Sequence, residues 1–399
     1  GGPDFRYFFT GGGLVTNGID VREYVGGVDS DPFPAYPQLG LERGTVFSPN
    51  GQMEAFAADT LIFATVRPRN IYVGTFGSGV FTRLTIDGAR PASFERNQYS
   101  NPSFSPNNQV VAYQRLAQSW DGVTTDSFHV YIQDIVANKR TLVTYEHEYP
   151  RAFFPTFSPD ENWLVYVVDR TRNGQWEIYG SPMSGNDVDG SLASLVRFTN
   201  TGGLIVTGGP RDIKRPPMEW NPVSSLLAVA AADNVLYLIQ THATGASVIG
   251  VQEVPRAQEI VWSASGALLA VAYFVTDASG TVYRIATVTT AGVATDRVVS
   301  LPGDNIRDLQ FSPDEKWLLY RVSRGGGSWF SVVDIGAGKL TEPVALTAAD
   351  PVGGAALYRG VMSLRPAWTS ANLMIYLAWG TSSNNTPGIF TRDLNGLLN

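Results

Sequence analysis

One motif recurs along this chain and restricts its fold more than any other feature: an aromatic residue ends a short apolar strand, a turn comes next, and a second apolar strand begins. The copies are Phe47-Ser48-Pro49-Asn50-Gly51, Phe104-Ser105-Pro106-Asn107-Asn108, Phe157-Ser158-Pro159-Asp160-Glu161, Trp220-Asn221-Pro222, Trp262-Ser263-Ala264-Ser265-Gly266, Phe311-Ser312-Pro313-Asp314-Glu315 and Trp368-Thr369-Ser370-Ala371-Asn372. The aromatic anchors stand 57, 53, 63, 42, 49 and 57 residues apart. That spacing is close to the ~40–50 residues of a propeller blade once loop insertions are allowed for.

The turn has a physical basis. Proline presets φ for the second turn position, Ser hydrogen-bonds the turn backbone, and Asn, Asp or Gly tolerate the later turn positions. A nearly continuous apolar run comes next, as in Trp163-Leu164-Val165-Tyr166-Val167, Leu226-Leu227-Ala228-Val229 and Leu268-Leu269-Ala270-Val271. Such runs mark strands buried on both faces. A third strand (His129–Asp134, Phe330–Asp334, Ile389–Asp393) and a fourth (140–143, 195–199, 344–347) complete each unit. The expectation is an all-β, seven-bladed β-propeller of four-stranded antiparallel blades.

The repeats resemble the TolB-like, PD40-type (WD40-like) propeller repeats, whose hallmark is an aromatic-Ser-Pro-Asp-Gly turn before an apolar strand and then an Ile-Tyr strand. The third copy matches best, running from Phe157-Ser158-Pro159-Asp160 through Trp163-Leu164-Val165-Tyr166 to Ile178-Tyr179. The resemblance covers roughly residues 41–399. TolB itself carries an α/β domain ahead of its propeller, whereas the first 40 residues here show Gly11-Gly12-Gly13 and Pro32, Pro34 and Pro37 without helical periodicity. The expected division is therefore an N-terminal segment, 1–40, and a propeller, 41–399. After Trp368 only two strands can be read before the chain ends, so an N-terminal strand is expected to close the last blade and cover its open edge. Asp20–Val25 is the first choice and Phe5–Phe9 the second.

Composition excludes several classes. The net charge is −7 and the basic residues are scattered, so a nucleic-acid footprint is absent. There are no cysteines, hence no disulfide, thiolate metal site or cysteine nucleophile. The chain opens on Gly1-Gly2 without a basic, apolar leader, as a mature form would after signal removal. With the family resemblance, this points to the periplasm or cell surface.

Catalytic patterns are scarce. No Gly-x-Ser-x-Gly elbow, Walker loop or dinucleotide fingerprint is present. One propeller group with similar repeats, the oligogalacturonate lyases, holds a catalytic metal on His and Gln. The three histidines here, His129, His147 and His242, fall in different places and read as surface or turn residues. Asn186-Asp187-Val188-Asp189-Gly190-Ser191 fails the calcium-loop pattern, with Gly185 and Val196 where carboxylates are needed. The aspartates closing third strands, Asp134, Asp334 and Asp393, read as turn residues bonded to backbone. Neither cofactor nor metal is expected.

Two loop features remain. Leu204-Ile205-Val206 is bracketed by Gly pairs and succeeded by Arg211, Lys214 and Arg215, which suits an apolar contact with a basic rim. Trp120 sits in a polar segment, and aromatics are enriched at binding hot spots. These seven residues are the candidate partner-binding set. The leading expectation is a non-catalytic, extracytoplasmic platform for protein partners, an accessory subunit of a cell-envelope or membrane-associated complex that reaches the membrane only peripherally or through a partner or a lipid anchor. The alternative is a carbohydrate-active or other enzyme, lyase- or hydrolase-like, or a sugar-binding module, with its site at the channel mouth.

Overall fold

The computed structural model describes residues 7–11, 19–25, 28–30, 39–60, 69–75, 81–85, 98–117, 127–144, 151–169, 174–204, 216–278, 280–324, 327–336, 344–345, 367–368, 373–379 and 387–393. Every regular element among them is a strand. The first three, β1 (Tyr7–Gly11), β2 (Ile19–Val25) and β3 (Val28–Ser30), form one small sheet. Four-stranded antiparallel groups come after it in chain order. The first group holds β4 (Leu39–Phe47), β5 (Met53–Thr60), β6 (Arg69–Thr75) and β7 (Phe81–Arg83), the second β8 (Gln98–Phe104), β9 (Val110–Ala117), β10 (Ser127–Asp134) and β11 (Lys139–Leu142), and a parallel pairing of Arg69 with Gln98 joins the two groups into one eight-stranded sheet. The third holds β12 (Ala152–Phe157), β13 (Trp163–Val168) and β14 (Glu177–Ser184), which pairs with both β15 (Asp187–Val188) and β16 (Val196–Arg197).

Next come β17 (Met218–Trp220), β18 (Leu226–Ala230), β19 (Val235–His242) and β20 (Gly245–Glu253), then β21 (Glu259–Trp262), β22 (Leu268–Asp277), β23 (Gly280–Thr289) and β24 (Ala294–Val299). After them stand β25 (Asn305–Phe311), β26 (Trp317–Arg324), β27 (Gly327–Asp334) and β28 (Val344–Ala345). The last sheet has three described strands, β29 (Ala367–Trp368), β30 (Leu373–Trp379) and β31 (Pro387–Asp393). The chain divides into two compact units, one of Gly1–Phe8, Ile205–Gln240 and Val248–Asn399, the other of Phe9–Leu204 and Thr241–Ser247.

Both segments expected to close the last blade fall in the small N-terminal sheet. Asp20–Val25 lies in β2 and pairs with β3, Val25 opposite Val28, and Phe5–Phe9 overlaps β1, in the same small sheet. Among the described residues neither pairs with β31.

The apolar second strands are buried on both faces. In β22, Leu269, Val271 and Tyr273 join one core with Leu226, Ala228 and Leu238 of the preceding sheet. Ala270 and Ala272, pointing the other way, join a second core with Ile306, Phe311 and Leu318 of the following sheet. Each fully buried Leu or Val contributes about 1.5–3 kcal/mol.

Every complete Ser-Pro turn is organised by its serine. Ser158 is wholly buried; its Oγ accepts the Trp163 N–H at 2.9 Å and donates to Asp160 Oδ1 at 2.6 Å. Ser48, Ser105 and Ser312 repeat both bonds with Met53 and Asn50, Val110 and Asn107, and Trp317 and Asp314. The residue after the Asx position is left-handed: Gly51, Asn108, Glu161, Gly266 and Glu315 all have φ between 59 and 70°. Ser158→Ala should therefore lower unfolding free energy by about 1–3 kcal/mol, because a buried strand N–H loses its side-chain acceptor. Urea denaturation of the variant measures this.

The same turns are bonded to the turns of neighbouring sheets. Asn50 N–H donates to Asn108 Oδ1 (3.0 Å) and Asn107 Nδ2 to Glu161 Oε2 (3.3 Å) in one unit. In the other, buried Asn221 donates through Nδ2 to the Gly266 carbonyl (2.7 Å), and Ser265 Oγ donates to Glu315 Oε2 (2.6 Å).

Candidate functional site

Three residues before the anchor, several first strands carry a β-bulge with a non-glycine residue in the left-handed region. These are Asn101 (φ 52°) in β8, Phe154 (φ 55°) in β12 and Asp308 (φ 59°) in β25. Bulges of this kind re-aim side chains and gather at functional places, where local strain is tolerated. Each also frees backbone N–H groups that need an acceptor. For Phe154 it is Gln114 Oε1 of the preceding sheet, at 3.0 Å. For β25 it is Glu259 of β21, whose two oxygens take Asp308 N–H (2.6 Å) and Leu309 N–H (3.2 Å).

The bulge in β25 has a chemical result. Ile306, Leu309 and Phe311 face the core, while Asn305, Arg307, Asp308 and Gln310 are half-buried. Because the register slips between Arg307 and Gln310, a guanidinium and a carboxylate emerge from consecutive residues. Asp308 pairs with Arg321 Nε on β26. Arg307 donates through Nη2 to Gln258 Oε1 at 2.8 Å and lies 6.0 Å from the Tyr283 ring centre. Hydrogen-bonding capacity is left over here: Arg307 Nη1, Gln310 Oε1 and Asn305 Oδ1 are buried and have no partner. Each orphan costs about 1–3 kcal/mol, so three on one strand call for an occupant or a function.

More charge stands on the neighbouring strands. Asp304 and Arg324 form a two-pronged pair (2.5 and 2.9 Å). Arg284 Nη1 meets Asp296 Oδ2 at 2.9 Å, and the Tyr273 hydroxyl donates to Asp296 Oδ1 at 2.8 Å. Burial, aided by that carboxylate, pushes the Tyr273 phenol up to about 12, so it remains a donor at neutral pH.

The residues singled out in sequence fare differently. Leu204 is 4% exposed, and its N–H donates to the Trp176 carbonyl at 2.8 Å, so it packs into its own unit instead of offering apolar surface. Ile205, Val206, Arg211, Lys214, Arg215 and Trp120 lie outside the described residues, as does His147. His129 Nδ1 stands 3.0 Å from the Thr144 carbonyl, and His242 Nε2 3.1 Å from Ser247 Oγ. Among the described residues no three His, Asp or Glu come together as a metal site. The aspartate reading holds where side chains are described: Asp134 Oδ1 accepts from Val136 and Ala137 N–H, and Asp334 Oδ1 from Gly336 N–H. In the calcium-like loop, Asp187 is taken by Lys139 and Thr141, and Asp189 by Ser191 N–H.

No protein-family model matches the chain, and no curated protein matches it by sequence. Solved structures do match. Puromycin hydrolase superimposes with a TM-score of 0.57 at 13% identity, over 94% of this chain and 57% of that one. Porphyromonas gingivalis dipeptidyl peptidase 4 gives 0.54 at 12%, over 93% and 55%. An oligogalacturonate lyase in complex with manganese gives 0.53 at 12%, over 97% and 95%. The chain thus spans about half the length of the hydrolase and the peptidase. At these identities the likeness carries the fold, and the fold is a β-propeller. The expectation of a non-catalytic platform is corrected here. The folds it matches belong to enzymes, with which the enzyme alternative accords better than a scaffold does.

Proposed function

We propose that the chain is a propeller enzyme of the lyase or hydrolase kind acting on an acidic oligosaccharide, with Arg307, Asp308 and Arg321 in contact with substrate and Glu259 as the positioning residue of the bulge. The observation that carries this reading is the run of unmet polar atoms on β25 beside a guanidinium and a carboxylate. Arginine suits a sugar carboxylate because its planar fork matches two oxygens, and a carboxylate set beside it can accept a proton during bond cleavage. The lyase match supports the substrate class, since it spans nearly the whole of both chains. The Ser-Pro-Asx turns, each with a buried serine at its centre, support assigning the repeats to the TolB-like, PD40 type.

A second reading, the propeller part of a longer hydrolase that acts on peptides, is favoured by the peptidase and hydrolase matches. The two separate in one assay, in which the purified chain is incubated with uronic-acid oligomers, neutral oligosaccharides and proline-containing peptides, and new chain ends are monitored. Turnover of the acidic oligomers, lost in Arg307→Ala, is the expected result. Peptide binding without turnover would favour the second reading. Inertness towards all three substrate sets would remove the first.

A further inference from the structure

Aligning the repeats on their anchors exposes one position that breaks the pattern. The residue opposite the anchor on the second strand is Val111, Leu164, Leu227, Leu269, Leu318 and Met374 in six sheets. In the sheet of β4–β7 it is Glu54, opposite Phe47. Glu54 is 1% exposed, and neither of its carboxyl oxygens has a hydrogen-bond partner. On its other side stands Gly74, which faces Phe81 in turn, so the row across the sheet reads Phe47, Glu54, Gly74, Phe81.

No charge meets it in that row. Among the described residues, the titratable groups on the packed strands are Glu42 and Arg43 on β4, opposite Ala58 and Ala57. On β6 they are Arg69, opposite Asp59, and Tyr72, opposite Phe56; on β7, Arg83 lies opposite Tyr72. All belong to rows further along the sheet. The strands β8 to β10 pack on the other face, where Tyr99, Tyr113 and Tyr131 join a core with Ala55 and Ala57, residues that alternate with Glu54 along β5. A carboxylate so buried and without a hydrogen-bond partner favours its protonated form.

We infer that Glu54 is an acid-holding group that makes this sheet a pH-sensitive element: neutral and packed in acid, and a source of destabilisation that grows as the medium rises from acid to neutral. Burial pushes its carboxyl up to about 7 from an ordinary 4.5. Linkage sets the sign. The folded chain holds the proton more tightly than the unfolded chain, so stability is greatest below the unfolded value, falls between about 4.5 and 7, and is level above.

The test compares wild type with Glu54→Gln and Glu54→Leu in thermal unfolding at pH 5 and pH 8. Both variants should unfold higher than wild type at pH 8 by about 5 °C, and the gap should shrink at pH 5. A gap unchanged between the two pH values overturns the proposal. Infrared difference spectra of the wild type between pH 5 and 8 give a second reading without a variant: the carbonyl band of a buried protonated carboxyl must be present at pH 5 and fade towards pH 8. Its absence at pH 5 overturns the proposal as well.

Discussion

Gly266→Ala should cost about 3–4 kcal/mol of stability, measured by denaturant unfolding, which is large for the addition of one methyl group. The backbone there has φ +70°, a conformation that strains any residue with a Cβ. The new Cβ would also lie 2.3 Å from Asn221 Oδ1 and 2.7 Å from both Asn221 Nδ2 and Val223 Cγ2. Asn221 has no room to retreat, because it is 1% exposed and bonded to the Gly266 carbonyl and the Val223 N–H. Overpacking of this kind adds about 1–3 kcal/mol to the backbone strain. Gly51→Ala is the control: it has nearly the same φ, +69°, with nothing within 4 Å, and should lose only about 1 kcal/mol. Equal losses in the two variants would show that the contact between turns contributes nothing.

Asp308→Asn is expected to lower kcat/KM on an acidic oligosaccharide by about 10²-fold or more, the usual effect of removing a proton acceptor from a reacting centre. The amide fills the same space, so the strand should stay in register and the loss should appear in kcat more than in KM. Glu259→Gln should act differently. It leaves the substrate contacts in place but weakens the capture of two bulge N–H groups, so thermal stability and kcat should fall together. A fully active Asp308→Asn would place the chemistry elsewhere in the molecule.

The architecture was legible because it rests on a local rule repeated many times. The turn at Phe157-Ser158-Pro159-Asp160 and the run Trp163–Val168 are each determined by neighbours in sequence, and every residue of that run is buried as its apolar pattern requires. The site was less legible because it depends on register between sheets. Nothing near Glu259 in the chain announces that its carboxylate will hold the N–H groups of Asp308 and Leu309. One signal was available: the positions four and three before the anchors Phe104, Phe157, Trp262 and Phe311 read Ser100-Asn101, Phe153-Phe154, Gln258-Glu259 and Arg307-Asp308. The charged pair differs from its counterparts there. Leu204 misled for the opposite reason, since flanking glycines and a basic stretch suggest an exposed loop, while the Trp176 carbonyl draws it inward.

The bonds between neighbouring turns bear on how such a chain can be inherited. Asn107 requires a Glu161, Asn221 a bare Gly266 and Ser265 a Glu315, and each partner belongs to the next copy along. A single repeat duplicated or exchanged on its own would bring a donor to the wrong acceptor at both of its borders. Two adjacent copies moved together would keep one border intact. In a lineage of such chains, the unit that is copied without damage is the seam with half a repeat on either side, and the repeats themselves are free to drift apart only as far as their seams allow.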